Sequence, residues 1–314
     1  MPEPGAGELL IRVHACAVCH TDLHQTEGEL PPHRLPVTPG HQAVGTVVRA
    51  GPGVEAGWTG RRAGVAWLHR ACGRCAWCRR GEENLCERPL FTGYDVDGGF
   101  AEYLVAPADF VYAIPGAFGS EAAAPLLCAG IIGFRALRLA GAAPGCRVGL
   151  FGFGASAHLA IQVARHWGCE VHVVTRSRGH RRLAEALGAA WVGGPGEAPP
   201  APLDAAVVFA PSGRVAVEAL ERLRPGGTLA INAIHLDGIP AFDYRLLYGE
   251  RTVRSVTNST RADGVEFLAL AAAIPVRVET ETLPLAEANR ALARLARGEI
   301  SGAAVLAGSS GSDS

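Results

Sequence analysis

The chain has 314 residues, 48% hydrophobic and 19% charged, which predicts about two domains with buried cores and excludes a disordered polypeptide. A net charge of −1 gives no electrostatic reason to expect nucleic acid or an anionic membrane as a partner, and no apolar run approaches the roughly 20 residues of a membrane span. Nine cysteines without a visible secretion signal predict a cytoplasmic protein with reduced thiols.

The first third of the chain has the pattern of short strands separated by glycine and proline. Two stretches rich in β-branched residues, ELLIRVHACAV (8–18) and AVGTVVRAG (43–51), are typical of strands. This pattern predicts an antiparallel or barrel-like β domain.

The pattern changes after Ser120. SEAAAPLLCAGIIGFRALRLAG (120–141) has the length and apolar periodicity of a helix. Strands and helices then alternate up to residue 257, which predicts a parallel sheet with helices on both faces. From Asp263 we expect a helix, a short strand, another helix and a last strand, followed by a loose tail, SSGSDS (309–314).

Four cysteines cluster in CGRCAWCRRGEENLC, as Cys72, Cys75, Cys78 and Cys86. Their short intervals allow four thiolates to surround one tetrahedral zinc, in a lobe of about residues 70–90. The alternatives are an iron–sulfur cluster, a nucleic-acid-binding zinc knuckle flanked by arginines, and four unrelated buried thiols. A zinc held by four protein ligands has no position for substrate, so the favoured interpretation is a structural site.

A second cysteine motif, ACAVCHTDLH (15–24), has a spacing that fits either a redox dithiol or half of a metal site. A catalytic zinc usually has three protein ligands and one open position. Cys19, His41 in TPGHQAVG and Cys128 in APLLCAG are the candidates for such a set.

Several motifs together resemble one family. In chain order, CHTDLH, PGHQAVG, the four-cysteine lobe, GGFAEYLVAP, AAPLLCAG and a glycine turn are similar to the zinc-dependent medium-chain alcohol dehydrogenases, over almost the whole chain. The resemblance implies an α/β protein with a GroES-like β-rich catalytic domain (1–127 and 260–314) and a Rossmann doubly wound parallel-sheet domain (128–259). It also implies two zinc ions per chain and a homodimer or homotetramer formed by edge pairing of the nucleotide domains.

The resemblance also assigns roles around the catalytic zinc. Cys19, His41 and Cys128 become its ligands, and Cys16 becomes a small buried hydrophobe. Two thiolates would cancel the charge of Zn²⁺ while leaving it a Lewis acid toward a bound oxygen.

Further roles follow for the residues beside the ligands. Thr21 matches the hydroxyl that hydrogen-bonds the alcohol, and His24 matches the imidazole that passes the proton to water through the cofactor ribose. Asp22 matches the carboxylate that orients the histidine ligand. His20 falls where relatives often have a basic residue near the cofactor pyrophosphate, and Gln42 replaces a usual glutamate.

The glycine turn lies in GLFGFGASAH. Gly152 and Gly154 follow a predicted strand, and Ala157 stands where the third glycine of G-x-G-x-x-G is expected. Backbone amides at the start of the helix, from Ala155, are expected to face the pyrophosphate.

The end of the second strand decides the cofactor. An acidic residue there would bind the NAD ribose, but the sequence has Thr175, Arg176 and Ser177, with Arg181 one turn later. Hydroxyl and guanidinium groups suit a 2′-phosphate, so we expect NADP(H) to be preferred over NAD(H).

The substrate is less defined. Trp67 matches a tryptophan that narrows the pocket in relatives, and Leu30 replaces a second one, so primary alcohols larger than ethanol and their aldehydes are expected. Trp67 could equally be a core residue. The alternative functions are a secondary-alcohol or polyol dehydrogenase on the same framework, and a non-catalytic nucleotide-binding relative.

Overall fold

The computed structural model describes residues 1–308, so the tail at 309–314 lies outside the described residues. The chain divides into two compact units. Unit 1 comprises Met1–Ile131, Asn258–Ala273 and the residues from Val278 onward, and unit 2 comprises Ile132–Thr257 and Ile274–Arg277.

The secondary structure of the described residues is as follows. The strands are β1 (Glu8–Ala17), β2 (Ala43–Ala50), β3 (Arg62–Val65), β4 (Leu68–Arg70), β5 (Leu90–Phe91), β6 (Tyr103–Pro107), β7 (Val111–Ala113), β8 (Arg147–Phe151), β9 (Glu170–Val174), β10 (Trp191–Gly193), β11 (Leu203–Val208), β12 (Leu223–Ile231), β13 (Thr252–Ser255), β14 (Thr280–Pro284) and β15 (Ala303–Ala307). The helices are α1 (His20–Thr26), α2 (Ala76–Arg79), α3 (Ser120–Ala123), α4 (Ala129–Leu139), α5 (Ala155–His166), α6 (Arg178–Ala186), α7 (Gly213–Glu221), α8 (Arg261–Ala273) and α9 (Ala288–Ala296).

Unit 1 is organised around β1, which pairs antiparallel with β2, β6 and β15 in a sheet with the path β14-β15-β1-β2-β3-β7. Alternate residues of β1 face a core that includes Leu9, Ile11, Val47 and Val65. The two strands predicted from β-branched composition are therefore confirmed, and their apolar residues supply this core.

Unit 2 is a six-stranded parallel sheet in the order β10-β9-β8-β11-β12-β13. Counted from β8, this is the 3-2-1-4-5-6 order of a Rossmann fold. The strands β8, β9 and β11 are buried over most of their length, as expected when helices cover both faces of a parallel sheet. The predicted alternation is confirmed.

The single helix predicted over 120–141 is wrong. Helix α3 is followed by a tight 3₁₀ turn at Ala124–Leu127, and Cys128 has non-helical backbone angles (φ −131°, ψ −68°) before α4 begins. Pro125 lies at the break, and because proline has no N–H it cannot continue an α-helical hydrogen-bond ladder. Apolar periodicity continues through the break, so periodicity alone cannot locate it.

The segment Ser120–Leu139 is long and apolar enough to cross a membrane by length and composition. However, 67% of its most apolar window is buried inside the protein. That degree of burial is typical of a core helix, because a membrane span would present its apolar surface to lipid.

Candidate functional site

The side chains of Cys19, His41 and Cys128 converge in unit 1. Cys19 follows β1, His41 precedes β2 and Cys128 occupies the break before α4. One sulfur or nitrogen atom from each residue lies within 4.8 Å of the others. Two sulfurs and one imidazole form a zinc-type donor set, and three ligands leave one tetrahedral position for another group.

A buried carboxylate connects these ligand segments. Asp22 is fully buried; its Oδ2 accepts from the Cys19 amide at 2.8 Å, and its Oδ1 accepts from the Gly40 amide and from His41 Nδ1, both at 3.2 Å. With Nδ1 engaged by Asp22, His41 has Nε2 left for a metal. Asp22 therefore fixes both the position and the tautomer of the imidazole.

The ionisation of the cluster fits a metal site. Burial opposes a charge on His41, but Asp22 and the Cys19 sulfur raise its pKa to about 10. A hydrogen bond from Cys128 and the nearby His41 hold the pKa of Cys19 well below its usual value. The same hydrogen bond to Cys19, together with burial, raises the pKa of Cys128. The protons shared among these groups are the ones that a divalent cation displaces when it binds.

Helix α1 carries the predicted proton-handling residues. Thr21 is 7% exposed, and its Oγ1 lies 3.7 Å from Cys19 Sγ, beside the donor set. His24 lies one turn further along the same face. His20 is exposed at the start of the helix, and its ring lies 6.4 Å from that of His24.

An aromatic wall lies next to the histidine ligand. The Trp67 ring meets the His41 ring edge-on at 4.9 Å and stacks on Phe91 at 5.0 Å. Tyr94 lies 5.9 Å from Trp67. Trp67 is half-buried, so part of its ring packs against neighbours and part remains accessible. Leu30 is half-buried, and its amide donates to the carbonyl of His24 at 3.0 Å.

Cys16 and Gln42 lie close to the donor set in sequence but are not part of it. Cys16 is buried outside the metal-binding group, and burial, with the nearby Asp22 charge, raises its pKa far above that of an ordinary thiol. Gln42 is 2% exposed and its Nε2 makes a long 3.5 Å contact with the Ala17 carbonyl. Among the described residues, its buried Oε1 has no hydrogen-bond partner.

The four cysteines of the lobe also converge, with all four sulfurs within 4.8 Å of one another. Cys75 Sγ lies 3.5 Å from Cys78 Sγ, and Cys72 Sγ lies 4.0 Å from Cys78 Sγ. Zinc–sulfur bonds of about 2.3 Å in a tetrahedron place sulfurs about 3.8 Å apart. The space therefore suits a single ion rather than a multi-iron cluster.

Backbone amides stabilise these sulfurs. The Cys72 amide donates to Cys86 Sγ at 3.2 Å, and the Cys75 amide donates to Cys72 Sγ at 3.4 Å. Amides of Arg74 and Cys75 lower the pKa of Cys72 to about 6, whereas burial raises the pKa of Cys78 to about 12. The loop backbone thus favours the thiolate at Cys72, whereas burial favours the neutral thiol at Cys78.

Unit 2 carries the glycine turn between β8 and α5. Gly152 has a left-handed φ of +90°, and a Cβ there would lie 2.9 Å from the Ala210 amide nitrogen. Gly154 is the N-cap of α5, where a Cβ would meet nothing within 4 Å. From Ala155 the first amides of α5 lack helical partners, which is the usual anion-binding arrangement, and Ala157 is fully buried at the helix–sheet contact.

The end of β9 carries no acidic residue. Thr175 is buried, and its amide donates to the Gly193 carbonyl at 3.0 Å. Arg181 Nε donates to the Thr175 carbonyl at 2.9 Å, and Ser177 Oγ accepts from the His180 amide at 3.3 Å. Arg176 is exposed at this edge.

Comparisons with known proteins identify the family. Residues 5–116 match the "Alcohol dehydrogenase GroES-like domain" family and residues 157–273 match "Zinc-binding dehydrogenase". A "Probable alcohol dehydrogenase AdhA" from Mycobacterium tuberculosis is 50% identical over 98% of this chain and 90% of its own. The chain belongs to the zinc-dependent medium-chain alcohol dehydrogenase family.

Two further relatives agree with this assignment. An "Alcohol dehydrogenase" from Geobacillus stearothermophilus is 39% identical over 97% of this chain and 93% of its own. The solved structure of a cinnamyl alcohol dehydrogenase from Sorghum bicolor superposes with a TM-score of 0.90 at 28% identity, over 98% of this chain and 91% of the other. This dehydrogenase is therefore an NAD(P)-linked, zinc-dependent oxidoreductase with a GroES-like and a Rossmann domain.

Sequence reasoning missed two features of the dehydrogenase site. Phe91 stacks on Trp67 across a separation that contains the whole four-cysteine lobe, and no local pattern indicates this pairing. Glu29 bonds the Nδ1 of His24. The sequence signal that could have predicted this contact is Glu29 directly after Gly28, just beyond α1. A glycine after a helix favours a left-handed turn, which reverses the chain and brings the next side chain back toward the helix.

Metal content tests both cysteine clusters of the dehydrogenase. We expect the purified chain to hold two zinc ions, and we expect Cys19→Ser and Cys86→Ser each to lower the zinc content by about one, because each removes a sulfur from a different donor set. Elemental analysis by mass spectrometry measures this directly. Cys169→Ser, a buried cysteine outside both groups, is the matched control. An unchanged zinc content in Cys19→Ser contradicts the assignment of the three-ligand centre.

Proposed function

We propose that this dehydrogenase oxidises primary alcohols and reduces the corresponding aldehydes, with Cys19, His41 and Cys128 as ligands of a catalytic zinc. A second zinc is held by the four cysteines of the lobe. The convergence of three donor atoms with the Asp22 carboxylate behind the imidazole carries the proposal. When bound, zinc supplies Lewis acidity and the nicotinamide exchanges a hydride.

In this proposal, two polar side chains of α1 handle the proton. Thr21 lies beside the donor set, where its hydroxyl can accept the proton of the substrate alcohol and donate its own onward. His24, one turn away on the same face, is the base that holds the proton as it leaves the buried site. Asp22 keeps the histidine ligand oriented and does not take part in proton transfer.

The pocket beside the centre sets the substrate size. Trp67 and its stacked partner Phe91 form a flat wall next to His41. Leu30, in the turn after α1, is smaller than the tryptophan that it replaces and so leaves more room for the substrate. These residues favour aliphatic or aromatic alcohols larger than ethanol. Reduced thiols at both clusters also favour a cytoplasmic location.

Turnover tests the zinc assignment. Cys19→Ser is expected to lower kcat/KM for a primary alcohol by about 10³-fold or more, because the Lewis acid contributes several kcal/mol to the transition state. A panel of primary, secondary and polyhydric alcohols, followed by reduced-cofactor absorbance, measures activity and substrate class together. Wild-type rates that favour polyols would contradict the primary-alcohol assignment. Cys86→Ser removes a sulfur of the lobe and leaves the three-ligand group intact. Comparing its kcat/KM with that of Cys19→Ser separates loss of catalysis from loss of the structural site.

We further propose that NADP(H) is the preferred cofactor. The end of β9 offers the exposed Arg176 and the hydroxyl of Ser177, and it has no carboxylate that would repel a 2′-phosphate. Arg181 is tied to the Thr175 carbonyl, so it shapes this strand end and adds positive charge beside it.

Arg176→Ala is expected to lower kcat/KM for NADP⁺ by about 10- to 100-fold, because a charge-assisted hydrogen bond contributes roughly 1.5–3 kcal/mol. The value for NAD⁺ should change less than about threefold. Arg182→Ala, an exposed arginine of α6, the helix that follows Arg176, is the control. Wild-type enzyme that prefers NAD⁺, or equal losses with both cofactors, would overturn the preference.

We also propose that the dehydrogenase forms a homodimer or homotetramer by pairing of β13 edges. All four residues of β13 are exposed at the edge of the sheet, and an unpaired edge is a template for another strand. Large apolar side chains are also exposed in the same unit, including Ile234, Ile239 and Tyr248.

Val253→Lys places a charge on this edge, and we expect it to shift the mass measured by light scattering toward monomer, weakening association by at least about tenfold. Val265→Lys is the matched control, because Val265 is 61% exposed on α8, a helix of the other unit that is no part of this sheet. A monomeric wild type, or an oligomer unaffected by Val253→Lys, contradicts edge pairing.

A further inference from the structure

A reversed turn after α1 places an acid against the proton-handling histidine. The helix ends at Thr26, and Gly28 adopts a left-handed φ of +78°. The Leu30 amide then donates to the His24 carbonyl at 3.0 Å, which closes the turn. Glu29 is thereby held beside His24, and its Oε2 contacts the Nδ1 of the imidazole.

The contact defines which nitrogen of His24 carries its proton. An ionised carboxylate can only accept hydrogen bonds, so the Nδ1 that faces it must be the donor. The neutral ring then has its acceptor at Nε2. When the ring takes up a second proton it becomes a cation, and the carboxylate opposite Nδ1 stabilises that cation at short range.

The solvent exposure of His24 and Glu29 is consistent with stabilisation of an imidazolium by the carboxylate. The His24 side chain is 13% exposed, whereas Glu29 is 44% exposed. The imidazole is thus largely shielded, while the carboxylate remains in contact with water and avoids a large desolvation cost. Because water also screens the charge of Glu29, the interaction energy of this half-exposed ion pair is smaller than that of a buried one.

We propose that Glu29 is a positioning residue for the proton relay: it fixes the Nδ1–H tautomer of His24 and stabilises the imidazolium formed when His24 accepts the proton. This inference rests on the proposed function, since it requires His24 to act as the base. Glu29 touches neither the metal ligands nor Thr21 and acts only through His24.

The decisive variant is Glu29→Gln, which keeps the shape of the side chain and removes its charge. We expect the single-turnover rate of alcohol oxidation to fall by about 2- to 5-fold, the effect of a partly exposed charged partner. Alcohol KM and cofactor affinity should change less than twofold. Glu29→Asp retains a carboxylate and is expected to recover part of the rate.

A double mutant separates action through His24 from a general effect on the turn. In a His24→Gln background, the additional loss caused by Glu29→Gln should vanish, because the base it supports is gone. The matched control is Glu27→Gln, an exposed acid of the same turn, with the wild-type rate expected. Equal rates in Glu29→Gln and Glu27→Gln, or a full Glu29 effect without His24, would overturn the proposal.

Nuclear magnetic resonance gives a readout independent of turnover. In the zinc-loaded, ¹⁵N-histidine-labelled chain, the signals lost in His24→Gln identify His24. We expect the Nδ1–H tautomer in the wild type and a shift toward Nε2–H in Glu29→Ala; an unchanged tautomer overturns the positioning role. A wild-type chain without alcohol-dependent cofactor reduction would instead refute the proposed function, and an active wild type with an unaffected Glu29→Gln refutes only this inference.

Discussion

The hydrogen bonds of one buried carboxylate hold the candidate metal centre together. Asp22 has no exposed surface, and it binds the amide of one cysteine ligand, the amide before the histidine ligand and the imidazole itself. A buried charge of this kind is costly unless each of its acceptor positions is paired. Because Asp22 lies in the first turn of α1, the same helix that positions Thr21 and His24 also fixes the geometry between β1 and β2.

The position of Cys128, the third proposed ligand, depends on a different constraint, the interruption of a helix. Had residues 120–139 formed one continuous α-helix, the direction of the Cys128 side chain would follow from the helical repeat. Pro125 prevents this, and Cys128 instead has an extended φ between two helical segments. The helical hydrogen bonds are lost at Cys128, the proposed ligand. Functional sites often depart from regular structure in this way.

Local patterns in the sequence predict elements well when one physical preference dominates. β-branched residues define β1 and β2, and alternating apolar segments define the parallel sheet of unit 2. The approach of Cys19, His41 and Cys128 could be anticipated only through the family resemblance, since no spacing brings together residues so far apart. The helix break, the Trp67–Phe91 stack and the Glu29–His24 contact depend on chain reversals and tertiary packing. Composition and periodicity do not encode these features.

Both cysteine clusters offer thiol groups to a metal, but one arrangement suits a structural site and the other a catalytic site. In the lobe, backbone amides donate to the sulfurs, and four thiols would fill every position around an ion, so a metal held there would stabilise the loop and could not accept a substrate. At the other centre the sulfurs are influenced by a neighbouring thiol, an imidazole and a buried carboxylate, and one position remains for an exchangeable group. Reactivity therefore follows from the number of ligands and from what stabilises them, not from cysteine itself.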